Sequence, residues 1–176
     1  MNVEIFNNIV EIKIFKKKFI NKKFISYLND KNINKFLSVR RKKQNQQTAI
    51  KYFNQFDNKK KFYFAIFDKK KRKLIGTITL RKISKKSFAV GFMIGNSKYI
   101  GTQYSNQAIN IYLCFIFDYY EAYTIIAGTN KYNLSSNFCL IKNGFKIFKK
   151  TKKYFYFKLN KKNLNFTTKY KIKKND

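Results

Sequence analysis

Histidine, proline and tryptophan are absent from these 176 residues, acidic residues number only 8, and there are 2 cysteines. Without histidine the chain has no Ser-His-Asp or Cys-His relay, no imidazole ligand and no imidazole acid or base. Cys114 and Cys139 are too few for a four-cysteine zinc site, so no metal is expected. Both lie in apolar stretches and read as small core residues in a reducing compartment, without a disulfide. The most apolar run, 109–120, is interrupted by Asn110 and Asp118 and falls short of the ~20 residues that a membrane span needs. The opening MNVEIFNNIVEIKIF carries Glu4 and Glu11 where a secretory signal has a basic start and an apolar core. A cytoplasmic protein without a membrane partner is expected.

Lysine is what remains in excess. With 40 basic residues the formal net charge is +32, which ordinarily suggests nucleic acid or an anionic surface as partner. Only four of the 40 are arginine (Arg40, Arg41, Arg72, Arg81), the residue suited to forked phosphate and guanine contacts. Lys, Asn, Ile, Phe and Tyr dominate the chain, and all five have A/T-rich codons. The charge therefore reads as codon bias, and no nucleic-acid-binding motif accompanies it. No specific nucleic-acid partner is expected, and Arg40-Arg41-Lys42-Lys43 reads first as a solvated cluster.

The length allows one domain at roughly 100–200 residues each. Val10 to Phe15 alternates at period two and reads as a strand; residues 21–37 read as two short helices broken at Asn29-Asp30. A helix over 44–56 precedes three strands, 61–67, 73–83 and 87–95, joined by lysine-rich turns as an antiparallel meander. A long helix over 104–120 follows, then a buried strand 123–127. Next comes a helix 133–142 stopped by Asn143-Gly144, and last the strands 145–148 and 154–159. This order predicts a single α/β domain over 1–160, with a mixed, mostly antiparallel sheet of six to seven strands flanked by helices. Residues 161–176 read as a basic, frayed tail.

Two segments carry chemistry. In FMIGNSKYIGTQYSNQAI (92–109) a strand leads through a glycine loop into a helix, whose free N–H groups and dipole suit an anion such as a pyrophosphate. In IIAGTNKYNLSSNFCLIKNGFKIF (125–148), Asn133, Ser135 and Ser136 open a helix and Gly144-Phe145 closes it. Alone, each reads equally as an ordinary turn or cap. Together, Y-I-G-T-Q-Y-S-N-Q-A-I (99–109), N-L-S-S (133–136) and I-K-N-G-F (141–145) resemble the GNAT superfamily of acetyl-CoA-dependent N-acetyltransferases. The resemblance is to the branch with ribosomal-protein and amino-sugar enzymes. It spans about residues 10–159, and 24–40 resembles the opening of the polysaccharide-associated members.

The resemblance implies acetyl-CoA as co-substrate, its pyrophosphate held by the amides of Gly101, Thr102, Gln103, Tyr104 and Ser105. It implies a pantetheine arm paired with the strand Phe92, Met93 and Ile94, and Asn133 and Ser136 near the thioester as contact or catalytic groups. It implies a V-shaped opening between strands 87–95 and 123–128, with 92–94 beside 124–127 at one end. The acceptor it implies is a small-molecule primary amine, first of all an amino sugar of a nucleotide-sugar, whose phosphates Arg40 would meet. The alternatives are a ribosomal-protein-type N-terminus, or a degenerate domain that binds acyl-CoA without turnover. A monomer or homodimer is expected. Three features depart from the family. Gln103 stands where a second glycine is usual, which would strain the loop if position 103 needs positive φ. Strand 87–95 lacks a carboxylate, and the tyrosine used as acid in other branches falls at Leu140.

Overall fold

A computed structural model describes residues 3–37, 42–165 and 167–174. β1 (Val3–Phe6) and β2 (Val10–Ile14) form a hairpin. Its turn is held by Asn7, whose Oδ1 accepts from Ile9 N–H (2.8 Å) and Val10 N–H (3.0 Å). α1 (Lys22–Asn29) starts at Asn21, which accepts from Phe24 N–H, and stops at Asp30, which caps α2 (Lys31–Asn34) through Asn32 N–H. One residue thus ends one helix and begins the next. α3 (Gln46–Phe53) opens on a reciprocal Asn45–Thr48 capping box. β3 (Lys61–Asp68), β4 (Lys73–Ser84) and β5 (Ser87–Ile94) form the meander. Then come α4 (Gln103–Tyr119), β6 (Thr124–Asn130), α5 (Leu134–Lys142), β7 (Lys146–Lys150), β8 (Tyr154–Asn160) and β9 (Lys171–Lys174).

One nine-stranded sheet runs β7-β8-β6-β5-β4-β3-β2-β1-β9, with β5–β6 parallel and the other pairs antiparallel. β3 is buried on both faces, and the pleat divides its side chains between two cores. Phe62, Phe64 and Ile66 pack with α4 residues Tyr112, Phe115 and Ile116. Tyr63, Ala65 and Phe67 pack with Phe24, Leu28 and Ala49 of α1 and α3. Helices therefore cover both faces, as the sequence order predicts. Residues 109–117 of the apolar run are the buried body of α4, and no helix among the described residues is long and apolar enough to cross a membrane.

Two expectations are corrected. The sheet has nine strands rather than six to seven, because β1 and β9 extend it. The segment after Asn160 also docks instead of fraying: β9 pairs with β1 from Val3↔Lys174 to Phe6↔Lys171. Thr168 N–H donates to the buried Asn110 Oδ1 at 2.9 Å, and Leu164 and Tyr170 pack on the α4 core. KIKK has one apolar residue and is exposed throughout, so its order comes from backbone pairing at a sheet edge, which leaves no hydrophobic pattern to read.

Candidate active site

β5 and β6 pair in parallel only from Ser87↔Thr124 to Val90↔Ala127. Beyond that point β5 continues on β4 alone, to Ile94, while β6 continues on β8 alone, to Asn130. The two strands splay between these limbs. The expected opening is present, but its paired end is 87–90; residues 92–94 lie on the open limb instead of beside 124–127. Gly95 N–H donates to Ile75 C=O at 2.8 Å. Alternation along the strand then turns the N–H and C=O groups of Phe92 and Ile94 toward the gap, where an extended ligand can pair with them.

The loop after β5 is anchored from below. Gly95 lies against Tyr27, where a Cβ would sit 2.5 Å from a ring carbon. Asn96 caps the single turn Ser97–Tyr99, and the Tyr99 phenol donates to the buried Asp68 Oδ2 at 2.7 Å. Gly101 follows with φ +73°, exposed, and a Cβ there would have no atom within 4 Å. Thr102 is the N-cap of α4, but its hydroxyl donates to Tyr99 C=O (2.8 Å) and its side chain does not cap the helix. Ser105 likewise donates to Thr102 C=O (2.9 Å). The first amides of a 17-residue helix are thus left for a ligand at the positive end of the dipole. Gln103 is the first residue of that helix and does not have positive φ. The strain anticipated for it does not exist; the left-handed position is Gly101.

Across the gap, Asn133 caps α5, its Oδ1 accepting from Ser136 N–H at 3.3 Å. The cap commits the oxygen, and Asn133 and Ser136 both line the cavities at this end of α5. Two cavities meet here. A groove of about 660 Å³ includes Ile94, Gly101, Ser105, Asn133 and Ser136. A chamber of about 260 Å³ lies under α1 and α3, with Phe24, Tyr52, Tyr63, Thr77, Thr79 and Leu140 in its wall. Phe36, Leu37, Phe92, Met93, Asn133 and Ser136 line both. Four of the sequence-derived residues therefore stand at the junction and three (Ile94, Gly101, Ser105) in the groove, while Thr102, Gln103 and Tyr104 line neither. The chamber residues on α3, β3 and β4 were not anticipated; they come from separate elements and share no motif. Arg40 lies outside the described residues.

No carboxylate lines either cavity among the described residues. Burial pushes the Tyr63 phenol far up despite its bond to Thr77, and burial also raises Tyr52. Both are neutral donors near pH 7 rather than bases. Burial likewise raises the Cys139 thiol to about 11, so this groove cysteine is no nucleophile at neutral pH.

The groove fits a coenzyme A thioester on three grounds: an unpaired strand edge for an amide-bearing arm, uncapped helix amides beside an open glycine for phosphate, and Lys35 and Lys142 at its wall. Among the described residues no cluster of His, Cys, Asp or Glu could hold a metal ion.

Comparison with known proteins agrees. The family model described as an Acetyltransferase (GNAT) domain matches residues 21–146. No curated protein matches the chain by sequence search. Among solved structures, a GNAT-family acetyltransferase from Bacillus anthracis superposes with TM-score 0.79 at 18% identity, over 90% of this chain and 99% of that one. Spermidine N-acetyltransferase from Vibrio cholerae, in complex with CoA and spermine, gives 0.75 at 14% identity over 89% and 98%. A nucleotide-linked-sugar GNAT gives 0.70 at 18% identity over 93% and 92%. At these identities the structures show the shared fold. The family model spans well over half of the chain, and the chain belongs to the GNAT acetyltransferase family.

Proposed function

We propose that this enzyme acetylates the primary amine of an amino sugar carried by a nucleotide, with acetyl-CoA as donor. The observation that supports this acceptor is the chamber lining, which has no charged side chain among the described residues. It offers aromatic faces (Phe24, Tyr52, Tyr63) and neutral hydrogen-bonding groups (Gln44, Thr77, Thr79, Asn130). Such a wall suits a sugar ring, with its C–H face and hydroxyls. A polyamine would bring a further ammonium into a site without counter-charge, which is costly. At about 260 Å³ the chamber is smaller than the roughly 300–1,000 Å³ typical of drug-sized ligands. One ring fits inside, and the nucleotide extends toward the lysine-rich exterior.

Acetyl-CoA supplies the thioester carbonyl that the amine attacks, and its thiol leaves. The chain's part is to hold, orient and polarise. Gly101 and the first amides of α4 hold the pyrophosphate. The edge of β5 aligns the arm, and the N–H of Phe92 or Ile94 faces the carbonyl oxygen as a fixed donor. The Asn133 amide nitrogen and Ser136 hydroxyl flank the departing sulfur. With no carboxylate in either cavity among the described residues, the amine reacts in its neutral form and gives its proton to water, which returns one to the departing thiolate. Placement of the two reactants at the junction then carries most of the rate.

A thiol-release screen with acetyl-CoA tests the acceptor, using nucleotide amino sugars, aminoglycosides, N-terminal peptides and spermidine. The highest kcat/KM is expected with a nucleotide amino sugar. A clear preference for a peptide N-terminus or for spermidine overturns the sugar assignment.

A further inference from the structure

A cavity of about 840 Å³ shares no lining residue with the groove or the chamber. Its walls are the β1–β2 turn, the outward side of α4 and the segment between β8 and β9. That segment is tied down. Lys161 pairs with Asp118 Oδ1 at 3.0 Å, the Tyr170 phenol donates to Asp118 Oδ2 at 3.0 Å, and Thr168 N–H holds Asn110. Asp118 is the one carboxylate in the wall among the described residues, and both of its oxygens are engaged. Lys69, Lys169 and Lys171 also line the cavity, with no acidic partner among the described residues. Lys69 is held in place by its bond to Asn7 C=O (3.0 Å) and by the Phe6 ring beneath it (4.3 Å). The same cavity has an apolar wall of Phe6, Phe117 and Leu164.

We propose that this cavity is a second ligand site, separate from the active site, for a nucleoside di- or triphosphate. Each half of the wall selects part of that ligand. Three uncompensated lysines call for an anion carrying several charges, which a fatty acid or simple carboxylate does not supply. The Phe6–Phe117–Leu164 wall calls for a flat apolar body, which inorganic phosphate or pyrophosphate does not supply. A nucleotide has both, and the volume lies within the roughly 300–1,000 Å³ of small-molecule pockets. Gln107, bonded to Asn7, projects into the cavity from α4 about one turn beyond Gln103. An occupant therefore touches the helix that presents the coenzyme loop.

Calorimetric titration with ADP, inorganic pyrophosphate and adenosine at one fixed ionic strength tests the site. Four proteins are compared: the parent, Lys169→Glu/Lys171→Glu in the cavity, Lys152→Glu/Lys153→Glu in the distant β7–β8 turn as a matched charge control, and Gly101→Val. With the coenzyme groove filled by saturating CoA, ADP is expected to bind the parent, the charge control and Gly101→Val alike, and the cavity variant at least about tenfold more weakly. Pyrophosphate and adenosine, each meeting one wall only, should bind the parent at least about tenfold more weakly than ADP. The site is overturned if the parent does not bind ADP, or if the two lysine variants lose ADP affinity equally. It is also overturned if pyrophosphate binds as tightly as ADP, or if Gly101→Val removes ADP binding while the cavity variant keeps it. That last result would put the nucleotide in the coenzyme groove.

Discussion

The Tyr99 phenol and the Asp68 carboxylate meet at 2.7 Å inside the protein, joining the turn before the Gly101 loop to the end of the interior strand β3. Burial alone would raise the Asp68 pKa, but the Lys71 amide, the Tyr99 phenol and the Lys71 charge outweigh it and hold the value below 3.8. Tyr99, by burial and then by its bond to Asp68, is pushed up to about 12.

Tyr99→Phe leaves one Asp68 oxygen without that donor, so a loss of about 1–3 kcal/mol at neutral pH is expected in chemical denaturation. A depressed carboxyl pKa stabilises the folded state above the unfolded value and loses that effect as pH falls through the folded value. The deficit of the variant should therefore narrow below the ordinary Asp value of 3.8. At the alkaline end the raised phenol costs the parent stability between 10.0 and about 12. Tyr99→Phe should lack that contribution. A pH-independent deficit would show that the contact is steric rather than electrostatic.

Gly101 has φ +73° with open space where a side chain would be, whereas Gln103 is an ordinary helical residue. Gly101→Val should weaken acetyl-CoA binding by at least ~1 kcal/mol, through backbone strain and loss of access to the amides. Gln103→Gly relieves no strain and should not tighten binding. Calorimetry on the two variants checks both, and tighter binding by Gln103→Gly would mean that position 103 obstructs the ligand.

The segment beyond Asn160 contributes to stability. Its Asn163 carbonyl packs so closely on Gly144, φ +90°, that a Cβ there would lie 1.8 Å from the oxygen. Truncation after Asn160 removes β9, the packing of Leu164 and Tyr170, and the Thr168 bond to Asn110. A loss of about 3 kcal/mol is expected, or roughly 6–12 °C in melting temperature. Gly144→Ala should destabilise the full chain by about 2 kcal/mol and the truncated chain by less. Equal costs in the two backgrounds would show that Asn163 is not the obstacle.

How far the sequence reaches follows from where each element gets its order. β3 and α4 are held by dense apolar packing, so their periodicity announces them. Gly144 sits at a helix stop that any Asn-Gly pair suggests, and the loop around Gly101 is legible because positive φ and uncapped amides leave a glycine-bearing pattern. β9 is invisible because backbone pairing holds it, and Asn110, Asn143 and Thr168 form their buried contact across 58 residues of chain. The chamber was equally hidden: Tyr52, Tyr63, Thr77 and Thr79 converge only once α3, β3 and β4 have packed. The position of 92–94 relative to β6 depends on where the ladder stops, which a run of apolar residues does not encode.

With no carboxylate lining either cavity among the described residues, the pH dependence should follow the acceptor. The logarithm of kcat/KM should rise with a slope of about 1 up to the pKa of the acceptor amine and then level off. Two acceptors of different basicity should shift the break by the difference between their pKa values. A break that stays fixed across acceptors would identify an enzyme group as the base.

The groove at Gly101 and the chamber at Tyr63 meet at Phe92, Met93, Asn133 and Ser136, where the proposed reaction passes the acetyl group to an amino sugar. Amine-dependent release of free thiol from acetyl-CoA, read alongside mass analysis of the acceptor, tests it most directly. Release should require a nucleotide amino sugar and match N-acetylated product one for one. Coenzyme binding with no amine-dependent release from any acceptor in the screen would contradict it.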